Sequence, residues 1–283
     1  MNFFNIRQRS RQKIIFKRQN DCSRIIEAKE EGGILSSLAL GFTLVFVIIT
    51  MGISLWQKLG LERDIAVGTI RSAIQLFLVG YVLQFVFHAD HPVFILFIVM
   101  IMIAVASWNA GSRAKVVPGI RLRVVLTIAL TEALTMALLL GLHIVERTPQ
   151  YIIPLSGMTI GSSMVVAGLF INHMNREVQS VSGEIEALLA LGAAPRQAIH
   201  DSLKRAVRSS MIPTIDTMKT VGIVQLPGMM TGMIVAGASP VEAVKYQILI
   251  MFVLSASAAI TGIFLAMLSY RLWFTKDERL RHT

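Results

Sequence analysis

The sequence predicts an all-α fold: a polytopic transmembrane helix bundle of about seven spans, with one long polar helical segment between two of them. Three observations predict it. Apolar residues make up 54% of the 283 and charged residues only 16%, against roughly a quarter charged in soluble domains. The apolar residues fall in blocks of about 20, the length a helix needs to cross the hydrocarbon core. Such blocks must be helical, because lipid offers no partner to a free backbone N–H or C=O.

In chain order, residues 34–56 form the first block, 65–87 the second with Arg71 inside it, and 93–110 the third. The fourth, 124–145, contains Glu132, and the fifth covers 152–171. Polar residues then dominate over 172–210. The sixth block, 211–235, contains Asp216 and Lys219 and is interrupted by Gly and Pro; the seventh covers 241–273. No internal repeat or low-complexity stretch is evident, so the expected organisation is a basic arm (1–32), one membrane domain (33–273) and a short tail (274–283).

The net charge of +10 points away from nucleic acid, because the Lys and Arg sit between apolar blocks, as on the cytoplasmic side of a membrane protein. Lys58 and Arg63 follow the first block; Arg113, Lys115, Arg121 and Arg123 follow the third. Arg176, Arg196, Lys204, Arg205 and Arg208 follow the fifth, and Arg271, Lys276, Arg279 and Arg281 close the chain. The alternate links are poor in Lys and Arg. The basic links, and with them the C-terminus, are therefore placed in the cytoplasm and the chain in a cell (inner) membrane. Residues 1–32 carry eight Lys and Arg against four acids, which conflicts with the outside location that seven spans impose. An upstream extension, a membrane-surface arm and a parity-changing re-entrant segment each account for that. The first apolar block is too long and too poorly flanked for a signal peptide. Cys22 is the single cysteine, which excludes an internal disulfide framework and a Cys-based metal cluster.

The stretch from Glu184 to Pro213 reads as two short helices about a turn. Glu184 to Leu191 is the first, Gly192-Ala-Ala-Pro195 the break, and Arg196 opens the second. Gly tolerates a turn and Pro suits a first helical position. Spacing of four puts Ile199, Leu203 and Val207 on one face. Such a segment lies on the membrane surface or docks into a groove on a partner. Glu186-Ala187-Leu188-Leu189-Ala190-Leu191-Gly192 resembles the EAA-x3-G cytoplasmic loop of ABC-transporter permeases, with Leu188 in place of the usual Ala and Pro213 further from Gly192 than importers have it. The wider chain, over about residues 34–272, resembles the FetB-type family of ABC permeases, which includes iron-export permeases and the plant aluminium-tolerance permeases. The matching stretches are Arg71 to Tyr81, Gly157 to Met164, Leu191 to Gln197, Ile212 to Gly222 and Leu226 to Met230.

The resemblance implies a cytoplasmic coupling helix at Glu184, Glu186, Ala187, Gly192, Pro195, Arg196, Ile199 and Leu203. It implies a homodimer of this chain in the lipid bilayer, two separate ABC ATPase subunits, and export of iron or another metal, with a nucleotide sugar as the alternative substrate that some members of the family suggest. No G-x-x-x-x-G-K-[ST] phosphate loop occurs in the chain. No cofactor is therefore expected on this chain; ATP-Mg belongs to the partner, and the chain is read as a permease subunit and not an enzyme.

Ionisable groups at membrane depth are costly and mark functional candidates. Glu132 lies among Thr127, Thr131 and Thr135; Arg71 and Gln75 share a face, as do Asp216 and Lys219. Interhelical hydrogen bonding and snorkelling are the plainer roles. Met158 and Met164 flank Gly161-Ser162-Ser163, while Met229 and Met230 adjoin Pro227-Gly228. Thioethers suit soft ions but are first of all adaptable filler. The expected substrate pathway is Arg71, Gln75, Glu132, Met158, Ser162, Met164, Asp216, Lys219, Pro227, Met229 and Met230, with metal ligands left unassigned. The turn holding His88, Asp90 and His91 is a turn first and a metal-loading patch second. A proton-coupled secondary transporter or channel, with Glu132 or Asp216 carrying the proton, is the competing reading. An intramembrane enzyme is disfavoured by the absence of a nucleophile–base pair or metal triad.

Overall fold

A computed structural model describes residues 37–89, 92–112, 119–275 and 277–281. The basic arm 1–32, Asp90 and His91 lie outside the described residues. The chain divides into two compact units, 1–83 and 84–283.

In the first unit, α1 (Ser37–Trp56) and α2 (Glu62–Ala89, which runs on past the unit boundary) are joined by a tight turn. Lys58 and Gly60 take left-handed backbone there. The buried Ser54 ties the turn: its hydroxyl donates to Glu62 Oε1 at 2.9 Å and accepts from Leu61 N at 3.3 Å. Leu76, Phe77 and Tyr81 on α2 are largely exposed, as expected of side chains that face lipid.

The second unit is built on α3 (Pro92–Ser112), α4 (Ile120–Gly141), α5 (Pro149–Ser180), α8 (His200–Thr220) and α10 (Pro240–Ser269). Helix α5 is central and packs against α3, α4, α8 and α10; α10 also packs against α4 and α8. Val124, Ile128, Ala167, Phe170, Met174 and Leu265 form the middle of its core. Small residues set the close approaches. A Cβ on Gly262 of α10 would lie 3.3 Å from Val207 Cγ1 of α8, so the two helices meet there almost backbone to side chain. Arg121, at the start of α4, lies over the Trp108 ring of α3, 5.1 Å from its centroid.

Among the described residues, five helices are long and apolar enough to cross a membrane: 62–84, 93–112, 120–141, 149–180 and 240–273. Gly41–Trp56 is a shorter apolar helix. The expectation of about seven spans is thus met only in part, and the sixth block is where it departs. Residues 211–235 are not one helix. Helix α8 runs from His200 through Pro213 to Thr220, the chain turns over 221–227, and α9 covers only Gly228–Val235. Gly222 supplies the left-handed backbone of the turn, its N–H donates to Gln225 O at 2.9 Å, and Pro227 precedes the new helix. Eight helical residues rise about 12 Å, far short of the hydrocarbon core.

The fifth block also differs. Helix α5 has 32 residues, about 48 Å, which is longer than a hydrocarbon core of about 30 Å, and it continues to Ser180 through what reads in sequence as the start of the polar segment.

The Gly262 contact generates a test. Gly262→Val overfills the α8–α10 crossing and is expected to cost about 1–3 kcal/mol, read as a lower melting temperature of the detergent-purified protein. Gly161→Val on α5, where an added Cβ meets nothing within 4 Å, is expected to change it little.

Candidate functional site

Two features stand out: a hairpin at the end of α5, and a polar core inside the bundle. The hairpin comprises α6 (Ser182–Ala190) and the single turn α7 (Pro195–Ala198). Gly192 takes left-handed backbone (φ +89) at the C-terminal end of α6. Its N–H donates to Leu189 O, and Ala193 N–H to Leu188 O, which satisfies the last carbonyls as a helix end requires. Pro195 opens α7, and Gln197 Oε1 reaches back to accept from Ala194 N at 3.1 Å.

One face of the hairpin is inward. Ile185, Ala198 and Ile199 are buried in the core with Met174 and Val178 of α5 and with Trp273, Phe274 and Leu280 near the C-terminus. The final residues fold back to supply this backing. Phe274 pairs with Leu280, Thr275 N–H donates to Arg279 O, and Arg281 N–H donates to Trp273 O. Arg205 Nε donates to Glu177 Oε2 at 2.7 Å, which ties α8 to the extension of α5 and holds the guanidinium even more firmly charged than usual.

The other face is open. Glu184, Glu186, Ala187, Gly192 and Arg196 are exposed, and Pro195 is half-buried. Leu191, at the tip, is 85% exposed, with Leu188 beside it on the same face. An open cleft of about 970 Å³ separates the hairpin from the folded tail, lined by Glu186, Leu189, Gly192, Asp277 and Glu278 among others. The sequence places Ile199 and Leu203 on the docking face; the structure corrects this. Ile199 is 0% exposed and Leu203 packs against the core, because α7 and α8 lay that apolar stripe onto the protein itself. The predicted second helix likewise breaks at Ile199 and then continues as α8 past Ser210. Leu191 is the residue that the spacing argument misses. Its signal was an apolar side chain immediately before the turn glycine, with no inward neighbour to meet.

The polar core lies where α4, α5 and α10 meet. Glu132 is 4% exposed and accepts from Thr159 Oγ1. Thr261 Oγ1 of α10 lies 2.9 Å from Ser163 Oγ and 3.3 Å from Thr131 Oγ1. Thr127 Oγ1 is buried without a hydrogen-bond partner, and no described cation pairs with Glu132. The core uses Ser163, whereas the sequence reading names Ser162, which is half-buried outside it.

The other predicted pathway residues are scattered. Arg71 and Gln75 are exposed on α2. Asp216 and Lys219 pair with each other at 3.4 Å on an exposed face of α8. Met158 and Met229 belong to one small apolar cluster and Met164 to the main core. Met230 and Pro227 line a cavity of about 400 Å³ at the α8–α9 break, together with Met218, Met251 and Gln247.

Glu132→Ala removes the hydrogen bond between α4 and Thr159, whose hydroxyl keeps the Leu155 and Ser156 carbonyls of its own helix within reach, and is expected to lower stability by about 0.5–1.5 kcal/mol. Glu132→Gln keeps an acceptor oxygen and is expected to cost clearly less. Thermal melts of the two purified variants compare them.

A family model described as "Uncharacterised protein family (UPF0014)" matches residues 37–274. The UPF0014 membrane protein YjkA of Bacillus subtilis is 47% identical over 86% of this chain and 98% of its own length. The Escherichia coli protein named "Probable iron export permease protein FetB" is 37% identical over 87% of this chain and 95% of its own. The Arabidopsis thaliana protein named "Protein ALUMINUM SENSITIVE 3" is 38% identical over 84% and 87%. No solved structure matches. The long apolar helices and these matches over most of the chain agree, and the chain belongs to the UPF0014 family of membrane proteins.

Proposed function

We propose that the chain is the membrane-spanning permease subunit of an ABC transporter that exports iron or another metal across a cell (inner) membrane. Two copies form the membrane part, and separate ATPase subunits bind ATP-Mg and dock on the hairpin from the cytoplasm. The observation that carries this reading is the hairpin itself. An 85%-exposed Leu191 stands at the tip of an element whose inner face is anchored in the core. An anchored knob can receive a push and pass it on. Helix α8 leads from the hairpin to the break at 221–227, so a tilt of the hairpin is carried along one helix to the Met218–Met230–Met251 cavity. Broken backbone at membrane depth belongs where protein or a cavity satisfies it. Ile223, Val224 and Val235 around the break are more than three-quarters exposed within one chain, which suits contact with a second copy. The E. coli relative's name supports the metal and the direction.

A specific observation favours the second reading, a proton-coupled secondary transporter. Glu132 is buried and no described cation pairs with it, and a carboxyl so placed can carry a proton between helices.

Co-expression with an ABC ATPase of the same cell, followed by purification through a tag on this chain, separates the two. Leu188→Glu with Leu191→Glu is expected to reduce ATPase recovery at least tenfold while both proteins reach the membrane. Wild-type recovery by that variant would remove the hairpin from the interface. Failure of the wild type to retain any ATPase, together with loss of proton-coupled flux in Glu132→Gln, would favour the second reading.

A further inference from the structure

Helices α8 and α10 touch at Val207 and Gly262, and a groove lined by both helices continues to Tyr270, just past the end of α10. The groove they open is about 440 Å³ in volume. Its two walls differ in chemistry. Leu203 and Val207 of α8 face Ile263, Ala266 and Met267 of α10, and Ile263 and Met267 are at least half exposed on a helix long enough to span the membrane. This apolar part opens onto the exposed surface of α10.

The rim is cationic. Arg196, His200, Lys204 and Arg208 all line the groove, and they recur every four residues, so α7 and α8 carry them as one stripe. Among the described residues the ion pairs are Arg205–Glu177 and Lys219–Asp216; no member of the stripe is in one. No acidic residue lines the groove, although Asp201 lies on the same turn. Arg205, next in sequence to Lys204, points elsewhere and is neutralised by Glu177. The positive charge left uncompensated on α8 is therefore concentrated over an apolar slot at a helix end marked by Tyr270, an aromatic position typical of the membrane–water boundary.

We propose that this groove binds an anionic phospholipid from the leaflet on the hairpin side. Its phosphate would sit among Arg196, Lys204 and Arg208 and an acyl chain along Leu203, Val207, Ile263 and Met267. Juxtamembrane Lys and Arg attract anionic headgroups, and the slot accounts for a ligand that is apolar below its charge. The site lies against both α7 and α8, so an occupied groove stiffens the joint between the hairpin and the helix that leads to the break. The inference needs the chain to span a membrane; it does not need the ATPase.

The test titrates the purified full chain, in a neutral detergent, with dioleoyl phosphatidylglycerol or dioleoyl phosphatidylcholine. Native mass spectrometry reads bound lipid, and a thermal melt reads stabilisation. Phosphatidylglycerol is expected to bind and raise the melting temperature, and phosphatidylcholine to do neither. Lys204→Gln with Arg208→Gln is expected to weaken phosphatidylglycerol roughly tenfold or more. Arg205→Gln, which removes the same kind of charge from the other face, is expected to leave the difference between the two lipids unchanged. Lys204 and Arg208 are exposed, and each single variant repeats the measurement should the double variant not be monodisperse. Equal binding of both lipids, or undiminished phosphatidylglycerol binding by the variants, would overturn the proposal. So would glycerol 3-phosphate competing as well as the lipid, which would make the site a free-phosphate site. Loss of ATPase recovery by the variants with lipid binding intact would overturn it too, as a mark of a protein dock.

Discussion

A hydroxyl or carboxyl inside a transmembrane bundle has no water to turn to, so its partner must come from another helix or from its own backbone. The contact between Glu132 of α4 and Thr159 of α5, continued through Thr131, Ser163 and Thr261 to α10, is where this chain meets that constraint. Thr159 and Thr261 also reach carbonyls of their own helices, so what the contacts between helices add is a link among α4, α5 and α10. Apolar packing between helices is non-directional in lipid, where the tails are as apolar as leucine. The polar core supplies direction: it fixes which faces of α4, α5 and α10 turn toward each other.

That fixed bundle has a consequence at its end. Because α5 is held along its length, its extension to Ser180 is a firm post, and the hairpin and the folded C-terminal residues pack on it through Met174, Val178, Ile185, Ile199, Trp273 and Leu280. The Arg205–Glu177 pair adds α8 to the same post. What stays open is the tip around Leu191 and the basic groove of α8. Both adjoin α7, and α8 runs from there to the break at 221–227.

The legibility of the chain follows these physical lines. Long apolar blocks are visible because each must satisfy its own backbone, and four of the predicted spans return as single helices with modest changes at their ends. The sixth did not, because apolar content alone cannot distinguish a span from two pieces joined by Gly222 and Pro227. The hairpin was visible in outline from Gly192 and Pro195. Its exposed face was not: an i, i+4 stripe such as Ile199–Leu203–Val207 says that a face is buried without saying against what. The charge of Glu132 was visible as an anomaly, while Ser163 and Thr261 were ordinary residues until three helices brought them together.

By itself, then, the sequence determined the helical class, the membrane setting, the position of the hairpin and the residue pattern that places the chain among its relatives. These depend on composition and on spacing along one element. The tertiary structure alone decided that Ile199 faces inward and Leu191 outward, that the last residues brace the hairpin, that Lys204 and Arg205 serve different faces, and that Glu132 meets Thr159. Each of those is a contact between elements distant in the chain, and its energy exists only once the helices are packed.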